Sequence, residues 1–157
     1  MFWHQKNNSM KQLLFSTQSD WAGLILRITV GAIMFPHGAQ KLLGLFGGYG
    51  YSATMNFFME TLKLPAFISF LVIMIEFFGA VGLITGFASK LWALFMIIIM
   101  MGAIFTTNYK NGFFMNWFQT QGGEGYEYHL LVIGMCLALL FTGSGICSLD
   151  GLIENRR

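Results

Sequence analysis

Charge is what this chain has least of. Only 10% of its 157 residues are Asp, Glu, Lys or Arg, and 55% are hydrophobic, whereas a soluble domain carries about 25% charged residues. With apolar runs of about 20 residues, that deficit excludes an ordinary soluble domain and points to an integral membrane protein. The net charge of +2 is too small to suggest a nucleic-acid partner. Cysteine is scarce too: Cys136 and Cys147 would lie about 16 Å apart on one helix, beyond disulfide reach. There is no C-x-x-C pair and no zinc spacing, so no metal site is expected, and both thiols read as small packing residues. No haem-attachment motif, glycine fingerprint after a strand, or nucleophile elbow occurs. The polar N-terminus lacks the apolar core and cleavage site of a signal peptide, so the first span is expected to target the chain. Met10 could open a second start.

What remains reads as an all-α integral membrane protein, a four-helix transmembrane bundle of spans about 20 residues long. Span 1 is expected over Trp21 to Leu45, with Asp20 as its N-cap. Pro65 suits the first turn of span 2, which should end near Gly86. A very short turn then leads into span 3, ending near Thr106, and makes the two spans an antiparallel hairpin. Span 4 should run from Tyr128 to Thr142 and break at Gly143 and Gly145. Loop 1 opens with a glycine turn and continues as a short interfacial helix, with Met55, Phe58, Met59 and Leu62 at helical spacing. Loop 3 carries Phe113, Phe114, Trp117 and Phe118, expected to dip into the interface as a lid.

The expected organisation is a cytoplasmic segment at 1–19, the bundle at 20–151, and a cytoplasmic tail at 152–157. Lys6, Lys11, Lys90, Arg156 and Arg157 share one side, whereas Lys41, Lys63 and Lys110 share the other. The positive-inside rule then puts both termini in the cytoplasm, with the lipid bilayer as the first partner. Gly79, Gly82 and Gly86 on span 2, and Gly134 with Ala138 on span 4, offer close-packing faces. Packing within the chain is their expected use, and a homodimer stays open.

Against this apolar background Glu76 stands out in the middle of span 2. An ionisable group at that depth costs about 2.5–3.5 kcal/mol on insertion scales unless it is paired or faces a polar cavity. Counting from the span ends puts Glu76 roughly 13 Å deep and Arg27 roughly 9 Å deep, so an Arg27–Glu76 pair is expected. It reads either as a structural ion pair or as the polar floor of a ligand cavity, with Glu76 serving a redox-active ring. At the other end His37 and Lys41 share a face of span 1. Glu124, Glu127 and His129 reach that level from span 4, and Asn108 from span 3. This group is either a solvated helix-end cluster or a mouth that binds a quinone carbonyl and supplies protons. His37 and His129 could instead ligate a b-type haem, but their expected depths differ by roughly two turns, which disfavours it.

Several segments together resemble the DoxX family of small bacterial and archaeal membrane proteins. They are Arg27-ITVGAIMFPHGAQKLLGLFGGYG, Glu76-FFGAVGLITGF, Asn111-GFF, Gly123-EGYEYHLL and Gly145-ICSLDGLI. The resemblance covers about Trp21 to Gly151 and implies a four-helix membrane bundle in the bacterial cytoplasmic membrane. Some members are named as small subunits of quinone-linked systems. It therefore implies a membrane subunit of a quinone-linked oxidoreductase, with quinone as the ligand and a partner subunit as the electron source. In that role Arg27 and Glu76 would be the catalytic pair, and His37, Lys41, Glu124, Glu127, His129 and Asn108 the cofactor-binding mouth. More distant members act in membrane assembly, so the alternative is a non-catalytic scaffold or assembly factor. The buried charges alone would also admit a transporter, for which four short spans leave little room.

Overall fold

A computed structural model describes Thr17 and residues 20–154. The expected terminal segments at 1–19 and 152–157 lie largely outside these residues, as do Met10, Lys6, Lys11, Arg156 and Arg157. Helix α1 (Trp21–Leu43) starts where the Asp20 carboxylate accepts the Gly23 N–H at 2.9 Å. It runs through Pro36 and stops at Gly44, whose left-handed φ of 72° no side chain favours. That turn ends the helix two residues before the expected Leu45.

Helix α2 (Gly50–Asn56) leads into a π-helical turn at Phe57–Thr61. This helix starts earlier than expected, and its buried side chains are Thr54 and Phe58. Met59, on the expected apolar face, is 40% exposed, which suits a helix lying in the membrane interface.

Helix α3 (Ala66–Thr85) follows Pro65 and ends at Gly86, φ 69°. Helix α4 (Ser89–Ala103) continues through a second π turn, Ile104–Asn108, and a 3-10 turn, Tyr109–Asn111. Helix α5 (Glu127–Thr142) has 16 residues, and the short α6 (Leu149–Glu154) closes the described chain. Three of these segments, Trp21–Leu43, Ala66–Thr85 and Ser89–Asn111, are long and apolar enough to cross a membrane, and α5 is a shorter apolar helix. The molecule is an all-helical membrane bundle, with no strand among the described residues. One end of the bundle, the hairpin end, carries the α3–α4 turn, and the other, the loop end, carries the two long loops.

Lipid tails are as apolar as leucine, so close packing and hydrogen bonds hold the helices together. Val30, Met34, Ala80, Leu83, Met96, Val132, Cys136 and Leu139 form the shared core. Glycines set the register of α1 against α3. A Cβ on Gly31 would come 3.0 Å from the Ala80 carbonyl oxygen, and one on Gly38 would come 2.6 Å from the Phe77 Cα. Gly82 of α3 packs against Trp92 of α4, where a Cβ would meet Nε1 at 2.2 Å. Within α3, Gly79 and Gly82 thus serve packing inside the chain. Gly134 of α5 has open space instead. Cys136 is buried, as a packing residue should be, whereas Cys147 is exposed at the turn between α5 and α6.

Candidate functional site

The register decides which charges meet. Gly38 sits against Glu76 and Phe77, so Lys41, one turn further along α1, reaches the Glu76 carboxylate and forms an ion pair with it. The pair is lopsided in its surroundings: the Glu76 side chain is 5% exposed and that of Lys41 29%. Arg27 lies at the level of Leu83 and Ile84, roughly 10 Å along α3 from Glu76. The expected Arg27–Glu76 pair therefore does not form. Counting depth from the span ends assumed that the ends lie level, and the glycine contacts place them otherwise.

Arg27 has a different task. Nε donates to the Ser144 carbonyl at 2.8 Å, Nη1 to Leu83 at 3.3 Å and Ile84 at 2.5 Å, and Nη2 to Ile146 at 3.2 Å and Cys147 at 2.7 Å. All five N–H donors of the guanidinium are thus spent on backbone oxygens. Two belong to the C-terminal turn of α3, where carbonyls lack helical partners. Three belong to the segment after α5. Arg27 ties α1, α3 and that segment together and has no donor left for a ligand.

Asp150 completes this latch. Its carboxylate accepts the Ala88 N–H at 2.6 Å and the Ser89 N–H at 3.0 Å. It thereby caps α4, whose own preceding residue, Ala88, has no capping side chain. Ser148 in turn accepts the Gly151 N–H at 3.1 Å, at the start of α6.

At the loop end the structure brings Glu76 together with most of the expected mouth. Met34, His37 and Lys41 from α1, Val72 and Glu76 from α3, Asn108 after α4, Glu124 from the long loop, and Tyr128 and His129 from α5 line one cavity of about 490 Å³. Both π turns contribute walls, through Phe57, Phe58, Thr106 and Thr107. Wide turns of this kind are frequent at functional sites. Two clusters that sequence reading kept apart, the mid-span carboxylate and the helix-end group, are thus one site.

Some expected members do other work. Glu127 does not line the cavity; its carboxylate accepts the Met115 N–H at 2.9 Å. The Glu124 carboxylate accepts the Asn116 N–H at 2.8 Å, and its carbonyl accepts Asn108 Nδ2 at 2.9 Å. These contacts brace the segment at 112–126 as a roof. Gly125 permits the fold-back, since a Cβ there would sit 2.2 Å from the Phe114 carbonyl oxygen. The four lid aromatics Phe113, Phe114, Trp117 and Phe118 are exposed on the roof.

Tyr128 is the residue that sequence reading missed as a site member. Its ring lies 6.2 Å from that of His37 and 5.6 Å from that of His129. Its hydroxyl makes a weak contact of 3.5 Å with the Met34 sulfur. His129 Nδ1 is buried without a hydrogen-bond partner, which costs free energy unless a ligand or water supplies one. The site thus offers an ion pair on its floor, a weakly engaged phenol between two imidazole rings and largely apolar walls. A small ring with polar substituents and an apolar tail fits this set.

Comparison with known proteins agrees with this architecture. A DoxX family model matches residues 22–109. The chain is 32% identical over 130 residues, 83% of its length and 85% of the relative's, to the Bacillus subtilis (strain 168) protein named "Putative oxidoreductase CatD". It is 27% identical over 139 residues to "Inner membrane protein YqjF" of Escherichia coli (strain K12), covering 87% of this chain and 95% of that one. No solved structure matches. The chain belongs to the DoxX family.

Proposed function

We propose that this protein is a membrane subunit of a quinone-linked oxidoreductase in the bacterial inner membrane, and that the cavity is its quinone site. The observation that carries the reading is the Lys41–Glu76 pair on the floor of an otherwise largely apolar cavity. A structural pair could have been closed off by side chains, as Arg27 is by backbone. This one faces space. The name of the Bacillus relative supports an oxidoreductase class, and that of the Escherichia relative supports the inner membrane. By the same reading the loop end faces away from the cytoplasm, in keeping with the charge bias.

A bound quinone would supply two-electron, two-proton carrier chemistry, with electrons from a partner subunit. The chain's own residues would orient the ring and handle protons. The Tyr128 hydroxyl, weakly engaged and beside the His37 and His129 rings, would hydrogen-bond a ring substituent. Glu76, paired with Lys41, would accept a proton, and the partly exposed Lys41 would connect it towards the loop end. Titration of the protein in nanodiscs with a decyl-tailed benzoquinone, followed by tryptophan and tyrosine fluorescence, tests this. Wild-type protein should bind saturably and Glu76→Gln should bind at least about tenfold more weakly, at unchanged folded yield per milligram. Equal affinity in both would remove Glu76 from the site.

A second reading, scaffold or assembly factor, draws on the exposed Phe114, Trp117 and Phe118 on the roof, a surface suited to a protein partner. Deletion separates the two. Loss of a partner's abundance indicates assembly, and loss of its turnover at unchanged abundance indicates the quinone role.

A further inference from the structure

We infer that the cavity opens sideways into the bilayer, through a slot between the loop-end halves of α3 and α4. Through it the site takes up an amphiphile whose long apolar tail stays in the slot while its head stops at Lys41 and Glu76. This deepens the reading above and rests on the same cavity.

Ile68, Val72 and Glu76 recur every fourth residue and share one face of α3, while Ile98 and Gly102 share a face of α4 and Thr106 lies on the π turn that continues it. All six line the cavity. Ile68 is 43% exposed and Ile98 58%, and Gly102 and Thr106 are exposed as well. A residue that both lines a cavity and is open to the surroundings lies at its mouth. The surroundings here are hydrocarbon, because Ile98 and Gly102 fall inside the span Ser89–Asn111.

At the hairpin end the same two helices are shut. Gly82 is pressed against Trp92, and a Cβ on Gly79 would meet the Met96 methyl at 3.0 Å. The helices therefore diverge from that contact towards the loop end. The row from Ile68 to Glu76 spans about 12 Å, a greasy track that ends at a carboxylate. The roof above is tied down by Glu124 and Glu127, which leaves the side as the way in. A tail would remain in a medium like lipid throughout, while the head would leave lipid only for the ion pair.

Gly102 makes the slot testable. It sits within helix α4, and a Cβ there has nothing within 4 Å. A larger residue raises helix propensity and fills the opening, so the variant should fold. In nanodiscs, Gly102→Phe should weaken binding of a decyl-tailed benzoquinone by about tenfold or more and leave its tailless parent within about twofold. Unchanged binding of the tailed compound would overturn the slot, as would an equal loss for both compounds. A second probe separates this result from the fate of the quinone reading. Phosphatidylcholine with a diazirine in its acyl chain is photolysed in the same discs, and labelled peptides are mapped. Suppose wild type binds neither quinone. Labelling at Val72 and Met100 that disappears in Gly102→Phe then upholds the slot for an acyl lipid and removes the quinone reading. No labelling inside the cavity, together with no tailed-quinone binding, overturns the slot.

Discussion

Replacing Arg27 by Lys separates the latch from the ligand site. Lysine keeps the charge but offers three donors against five. At least two of the five contacts to the carbonyls of Leu83, Ile84, Ser144, Ile146 and Cys147 must go. Two charge-assisted bonds at about 1.5–3 kcal/mol each would cost about 3–6 kcal/mol. Interhelical hydrogen bonds measured in membrane proteins average nearer 0.6 kcal/mol, which lowers the bound to about 1 kcal/mol. Burial of the guanidinium places the expectation near the middle, about 3 kcal/mol. Equilibrium unfolding in mixed micelles reads this directly. Because Arg27 and Glu76 share no contact, Arg27→Lys combined with Glu76→Gln should be additive within about 0.5 kcal/mol. A coupling above about 1 kcal/mol between these residues, or wild-type stability of Arg27→Lys, would refute the assignment of Arg27 to the backbone latch.

The Lys41–Glu76 pair should behave oppositely. A double-mutant cycle of Lys41→Gln with Glu76→Gln is expected to show about 1–3 kcal/mol of coupling, between surface and fully buried pairs, since Lys41 is partly exposed. Asp150→Ala removes the cap on α4 and leaves two amides unpaired. It should cost about 2–4 kcal/mol and speed hydrogen exchange at Ala88 and Ser89 before other sites. Gly38→Val should lower folded yield sharply, because its Cβ would lie 2.6 Å from backbone atoms of Phe77 that cannot turn aside. Gly134→Ala meets open space and should instead stabilise α5 by up to about 1 kcal/mol in the same unfolding assay.

The spans were legible because hydrophobic length, Asp20, Pro65, Gly86 and Gly143 are local signals, and each does locally what its chemistry suggests. The charge pairing was not, because it depends on register. Register is set by where Gly31 and Gly38 touch α3, and glycine spacing on one helix does not reveal its facing residue on another. The same gap hid the union of Glu76 with the loop-end cluster. His37, Lys41, Asn108, Glu124 and His129 could be singled out as polar groups near one end of the bundle. Tyr128 could not, since a tyrosine at a span end reads first as an interface anchor. Asp150 was visible only as part of the terminal Ser-Leu-Asp. Its role needs the chain to return from α6 to the start of α4, a contact between positions 62 residues apart. The bracing role of Glu124 and Glu127 was hidden for a similar reason: the backbone N–H groups of Asn116 and Met115 that they accept come from a fold-back with no local sequence signal.

Mass spectrometry of the organic extract from purified protein, beside a mock-purified membrane control, asks whether the cavity holds a quinone against Lys41 and Glu76. A quinone near one per chain is expected, lost in Glu76→Gln and reduced in His37→Ala. Extracts that match the control, or that keep their quinone in both variants, would contradict it.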